Sequence, residues 1–373
     1  MTAVENKTDN NLLQNSNVTK KRNGAFDILK FAFSIMILLH HSYILDGIGT
    51  KYSIFLRGVT GIDFFFMVSG FFMGASIMRQ KNETDLSHLG TDTIQFMKKR
   101  VTSVLPVFVF SFFVTLIVKY AVYGVAFTGV NGKIFNSVWE LLFLNMAGFP
   151  KFKVNNVTWY LSAMYISMLI IYPIIRKNVD LHTKITAPLV GVLIYGWLNK
   201  QYNSLGKPAS LWVGFAYKGT LRAMAGILIG IGVYSLCCYL KERKVKKSTS
   251  IILSVFELTG YVFVFVATVD NRCGVSDFLF LLIYAACITI TGSTKSIVTS
   301  KINSNRGTMF LGKFSMILFL THYPWTVLTP VILKNASPVV TIVCYALFSV
   351  VWALFVYLIF EVLVKKRKKK SDG

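Results

Sequence analysis

Apolar stretches close to twenty residues long recur between residues 26 and 364, separated by short polar and basic runs. A helix needs about twenty residues to cross the hydrocarbon of a bilayer, and backbone in lipid must satisfy its own hydrogen bonds. The pattern therefore predicts an all-α, polytopic transmembrane bundle. Of the 373 residues 54% are hydrophobic and the mean hydropathy is +0.56, too apolar for a soluble domain of this length. Candidate spans cover 26–46, 57–78, 101–123, 157–175, 185–199, 212–236, 249–269, 277–294, 309–332 and 339–364, about ten in all. The shorter stretch 135–149, which contains Glu140, is expected to be a re-entrant or interfacial segment. Residues 1–22, rich in Asn, Thr and Lys, are predicted to be a disordered tail, 23–364 a single membrane domain, and 365–373 a basic tail.

The formal charge of +24 comes from 40 Lys and Arg against 16 Asp and Glu. In a soluble chain this would point to nucleic acid, but here the basic residues sit between apolar segments, as topology signals do, and no basic patch is interleaved with aromatics on a soluble element. With ten spans and the N-terminus inside, 26 Lys and Arg fall on the inner side and 9 on the outer, Arg57 included. An eleventh span over 135–149 would carry KKRKKK at 365–370 outside. Both termini are thus predicted to be cytoplasmic, in a multi-pass protein of the cell membrane. The five cysteines form no CxxC pair and join no His cluster, so neither a disulfide framework nor a metal site is expected.

Ionisable groups within the apolar segments are costly to bury and by default mark a working site. Lys30 and His41 are eleven residues apart in FDILKFAFSIMILLHHSYIL, a spacing that returns to within about 20° of the same helix face and separates them by roughly 16 Å along the axis. Asp63 in GIDFFFMVSGFFMGASIM lies at a comparable depth of the second span. A carboxylate beside an imidazole would orient it as a general base, so His41 and Asp63 are the candidate catalytic pair. His322 in FSMILFLTHYPW could share their cavity or tie two helices together. Arg100, flush with the third apolar run, and Arg222, deep in YKGTLRAMAGILIG, are candidate anion-binding groups alongside Lys30. Glu140 is a secondary acid or substrate-binding candidate, and Trp159 is either that or an interfacial aromatic. Ser69 and Gly70 give the second span a small surface suited to close helix packing.

Taken together these stretches resemble the acyltransferase 3 family of bacterial integral-membrane O-acyltransferases. FDILKFAFSIMILLHHS is similar to its first-helix basic-x10-His motif and GIDFFFMVSGFFM to its D-x-FF-x-x-SG helix. QFMKKRVTSVLP resembles its Arg-rich entry to the third helix, NNVTWYLSAMYISMLIIYP its W-x-L segment and GKFSMILFLTHYP its late S-x-x-x-YL-x-H-x-P helix. Two departures stand out. Lys30 replaces the usual first-helix Arg, which keeps the charge but loses the bidentate fork, and Ser103 stands where the family's third-helix pattern has a second Arg. The resemblance implies transfer of an acyl group, commonly acetyl from cytoplasmic acetyl-CoA, to a hydroxyl of a cell-surface glycan or its lipid-linked precursor. The rival reading is a transporter or flippase of a polysaccharide intermediate, with the buried charges lining its pathway.

Overall fold

The computed structural model describes residues 22–46, 54–80, 86–124, 135–149, 153–269 and 274–371. The expected disordered tail therefore lies outside the described residues, apart from Arg22 at its end. The protein is a helical membrane bundle, 81% helical. Its first helix, α1 (Gly24–His40), is N-capped by the Asn23 side chain, which accepts from the Ala25 amide, and it tightens into a 3₁₀ segment at His41–Asp46. There follow α2 (Gly61–Arg79), α3 (Leu89–Tyr123), the single turn α4 (Val138–Leu141), α5 (Trp159–Lys177), the short α6 (Val179–Leu181) and α7 (Ala187–Tyr202). A two-residue hairpin pairs Trp212 with Tyr217 and leads into α8 (Lys218–Glu242) and α9 (Lys247–Val269). The chain ends with α10 (Asp277–Ser293), α11 (Ile297–Lys301), α12 (Arg306–Thr321), α13 (Tyr323–Ile332) and α14 (Pro338–Ser371).

Seven of these helices are long and apolar enough to cross a membrane, and α12 with α13 makes an eighth if the bent pair is one span. The expectation of about ten spans is therefore slightly high. The stretch 277–294 forms α10, of 17 residues, at the short end of what a crossing needs. The stretch 185–199 lies in α7, which continues α6 through a π-helical turn at His182–Thr186 carrying the polar His182 and Lys184, so this helix is less apolar than those seven. The stretch 212–236 enters its helix only at Lys218, after the hairpin. Residues 135–149 contain just a 3₁₀ turn and α4, too short to span. The basic run 365–370 continues α14, which extends to Ser371.

The bundle is apolar on its outside as well as inside. Phe113 and Ile117 of α3, Val192 and Leu193 of α7, and Val351 of α14 are exposed hydrophobic side chains, which lipid accepts and water would not. At the centre, α2 and α8 touch backbone to backbone. A Cβ at Gly70 would overlap the Ile227 carbonyl, and one at Gly230 the Met67 carbonyl, so these small residues set the approach of the two helices. Gly230→Val forces them apart and should cost about 1–3 kcal/mol, read as a fall in Tm of the purified protein in detergent. Gly196→Ala on α7, where an added Cβ meets nothing within 4 Å, should leave Tm unchanged or raise it.

Candidate active site

The break between α12 and α13 starts with a missing hydrogen. Pro324 has no amide N–H, so the Leu320 carbonyl loses its helical partner and the helix axis bends by 58°. The carbonyl is rescued from outside the helix, by the Ser111 hydroxyl of α3 at 2.5 Å and the Asn155 side-chain amide at 3.1 Å. Asn155 also donates to Ser111 at 3.1 Å, and its oxygen caps the turn leading into α5 by accepting from the Val157 amide. A bent helix held this firmly fixes His322, two residues beyond Leu320.

His322 lies against His41, its Nε2 3.0 Å from His41 Nδ1, with the rings near-parallel at a 28° angle. Its own Nδ1 is 3.1 Å from the Leu318 carbonyl. A carbonyl can only accept, so Nδ1 of His322 carries the hydrogen, and in the neutral ring Nε2 is then an acceptor. That assigns the hydrogen between the rings to His41 Nδ1 and leaves His41 Nε2 with a free lone pair. The acceptor that fixes the tautomer of a general base is usually a carboxylate. Here it is a second, fully buried imidazole.

His41 borders one cavity and a second adjoins it, while His322 lines neither. One, of about 460 Å³, is bordered by His40, His41, Tyr43, Trp159, Lys153 and Lys207. The other, of about 240 Å³, is bordered by Lys30, Arg100, Ser69, Tyr160 and Phe319. Ile62 lines both, so they adjoin at the first turn of α2. Lys30 and His41 thus border neighbouring cavities, one each. The two cations of the smaller cavity are lightly committed. Arg100 stacks on Phe96 at 4.4 Å, and among the described residues its guanidinium has no hydrogen-bond partner. Lys30 is 3.7 Å from Asp27, whose two oxygens already accept from Arg22 at 2.7 and 2.8 Å. Ser103 also lines this cavity but donates to the Arg100 carbonyl at 2.7 Å. Lys98 and Lys99 are exposed and do not border it.

Asp63 is not beside His41, and here the expected pairing fails. Its carboxylate holds Arg222, with Nη2 to Oδ2 at 2.6 Å and Nε to Oδ1 at 3.3 Å, and both side chains are 0% exposed. Tyr195 donates to Asp63 Oδ1 at 2.9 Å, while Arg222 donates onward to the Leu205 and Val59 carbonyls at 2.6 and 3.2 Å. Neither Asp63 nor Arg222 lines either cavity. Trp159 stands over the Arg222 guanidinium at 5.9 Å and borders the His41 cavity. The pair staples α2 to α8, and helix depth alone did not reveal which neighbour Asp63 would face.

Glu140 borders neither cavity. It accepts from the Val154 and Asn155 amides at 2.8 and 3.0 Å and from the Thr158 hydroxyl at 2.9 Å, tying the 135–149 segment to the turn before α5. Burial pushes its carboxyl up to about 7, against the pull of those donors and of Lys119. Ile62, Asn155, Lys153 and Lys207 were not singled out from the sequence. Ile62 is one more apolar residue in an apolar helix, and the other three lie in loops with no periodicity to mark them. The proline two residues after His322 was the legible signal for the bend.

A family model described as an acyltransferase domain matches residues 23–358. No curated protein and no solved structure matches the chain. The geometry separates a positioning role for Asp63 from a catalytic one. Asp63→Asn leaves a buried guanidinium without countercharge and should cost about 3–5 kcal/mol in stability, seen as a large drop in Tm. Joint replacement, Asp63→Leu with Arg222→Met, should recover much of it. An Asp63 acting on His41 would instead lose activity at unchanged Tm.

Proposed function

Since the chain belongs to the acyltransferase 3 family and is a membrane acyltransferase, we propose that it takes an acyl group, acetyl in our reading, from cytoplasmic acyl-CoA. It passes this group to a hydroxyl of a cell-surface glycan or its lipid-linked precursor. The observation that carries the reading is the His41–His322 pair, set where a cavity holding two lightly committed cations adjoins a second, larger one.

Lys30 and Arg100 suit the phosphates of the donor, since hydrogen bonds to charged oxygens are the strong ones. Their cavity is at the same end of the bundle as the basic C-terminal run. Gly312 lines it, and the adjacent Lys313 pairs with Glu361 near the end of α14 at 2.6 Å. The positive-inside bias favours a cytoplasmic position for that end. The pantetheine arm then extends along Ser69 and Tyr160 toward Ile62, and the acceptor enters through the cavity of His41.

In the transfer, His41 Nε2 takes the proton of the acceptor hydroxyl as its oxygen attacks the thioester carbonyl carbon. The tetrahedral intermediate collapses, the C–S bond breaks, and the departing thiolate receives the proton from the His41 imidazolium. His322 holds Nδ1–H in place and so keeps Nε2 aimed at the acceptor. Asp63 and Arg222 act at a distance, as positioning residues that hold α2 and Ile62 in register with α8.

His41→Ala should lower transfer by about 10²–10⁴-fold while donor-dependent stabilisation of the protein remains. His322→Ala should fall in between, because the base survives with its tautomer released. Near-normal transfer in folded His41→Ala would overturn the assignment. For the donor, acetyl-CoA at a hundredfold excess over its Kd should stabilise the purified protein by about 2.7 kcal/mol. That shift should vanish in Lys30→Ala with Arg100→Ala. No shift at any acetyl-CoA concentration in the unaltered protein would favour the transport reading.

A further inference from the structure

The cavity bordered by His41 is lined by two lysines, Lys153 and Lys207, and by no carboxylate. Neither ammonium has a hydrogen-bond or ion-pair partner among the described residues. Glu140 attracts Lys153 without bonding it, and the carboxylates around this wall have other hydrogen-bond partners. Glu140 is taken up by two backbone amides and Thr158. Asp277 receives Arg57 at 2.5 and 3.0 Å, the Leu205 amide at 2.8 Å and Ser204 at 3.2 Å. Of the cations near this wall, Lys119 is turned to the Lys153 carbonyl at 2.9 Å and Lys218 lies over the Tyr202 ring at 5.0 Å.

The two lysines come from separate loops, one before α5 and one before the hairpin, and meet at one cavity. Lys207 and Ser210 are exposed at its rim, whereas Ile62 and Trp159 are buried in its floor. Lys207 also has φ of +55°, a left-handed conformation in which a glycine would be less strained, so a long cationic side chain is kept there at a cost. Topology does not account for either lysine, because the positive-inside bias disfavours basic residues on the side away from the basic C-terminal run.

From the meeting of Lys153 and Lys207 at the cavity of His41, we infer that the acceptor is anionic: a glycan or polyol bearing a phosphodiester or carboxylate close to the hydroxyl that is acylated. This rests on the acyl-transfer reading above and adds to it the charge of the acceptor. The lysines concentrate an anion at the cavity mouth and fix its register, so that one hydroxyl is presented to His41 Nε2. Neutral glycans of the same shape lack that anchor.

The test expresses the protein in a strain deleted for its own copy, separates the surface polymers by anion exchange, and measures ester-linked acyl groups in the acidic and neutral fractions by mass spectrometry. The unaltered protein should restore esters in the acidic fraction. Lys153→Gln with Lys207→Gln should lower that signal by about tenfold or more, while acetyl-CoA still stabilises the purified variant. Lys153→Arg with Lys207→Arg should retain most of it, since arginine also binds such anions. Esters restored in the neutral fraction alone would overturn the inference and leave acyl transfer standing. So would undiminished acidic esters in the Gln double variant. No esters in either fraction would overturn the glycan acceptor and this inference together.

Discussion

A backbone carbonyl without its amide partner organises this protein. In lipid such a group cannot turn to water, so it must be satisfied by protein or the helix will not bend there. At Leu320 the partner is absent because residue 324 is proline, and Ser111 and Asn155 take its place. The cost of an unpaired buried polar group, about 1–3 kcal/mol, thereby becomes a positional constraint. It binds α12 to α3 and to the turn before α5, and it stations His322 beside His41. Asn155 in turn owes its place to Glu140, so the short non-spanning segment 135–149 acts as a brace for the imidazole pair.

A second buried constraint lies on the other side of the site. Two charges out of contact with solvent hold together only where geometry and extra hydrogen bonds offset their desolvation. Asp63 and Arg222 meet that condition through a two-point contact, Tyr195, and two backbone carbonyls. The same two helices are in backbone contact at Gly70 and Gly230. Between them these features fix α2 against α8, and Ile62, one residue before Asp63, marks the point where the two cavities adjoin. The charged pair is thus part of the frame around the chemistry.

Such a division suits acyl transfer across a bilayer. A donor with several phosphates requires cations that are not already neutralised, and Lys30 and Arg100 qualify because Asp27 is committed to Arg22 and, among the described residues, the Arg100 guanidinium stacks on Phe96 with no ion-pair partner. A general base requires a fixed tautomer and an unshared lone pair, and His322 supplies the first while leaving the second. In the proposed reaction, donor and acceptor in adjoining cavities would each be recognised by its own charges, with transfer at the junction.

The sequence by itself determined the membrane-spanning helical bundle, the family, and the placement of Lys30 and His41 along one helix, because hydrophobic length and the 3.6-residue period are local properties of the chain. It also carried, in Pro324, the reason for the break beside His322. It did not determine which polar groups would meet. Counting residues from a membrane surface gives the depth of Asp63 but not its direction around the helix axis, nor which helix stands opposite, so its carboxylate was expected at His41 and is found on Arg222. Likewise the stretch 185–199 reads as a helix of its own, whereas α7 continues α6 through a π-helical turn at His182–Thr186. Only the tertiary structure decided these points, since the contact between residues 41 and 322, and the lining of one cavity by residues 153 and 207, are set by how helices and loops pack against one another, and packing leaves no period in the chain.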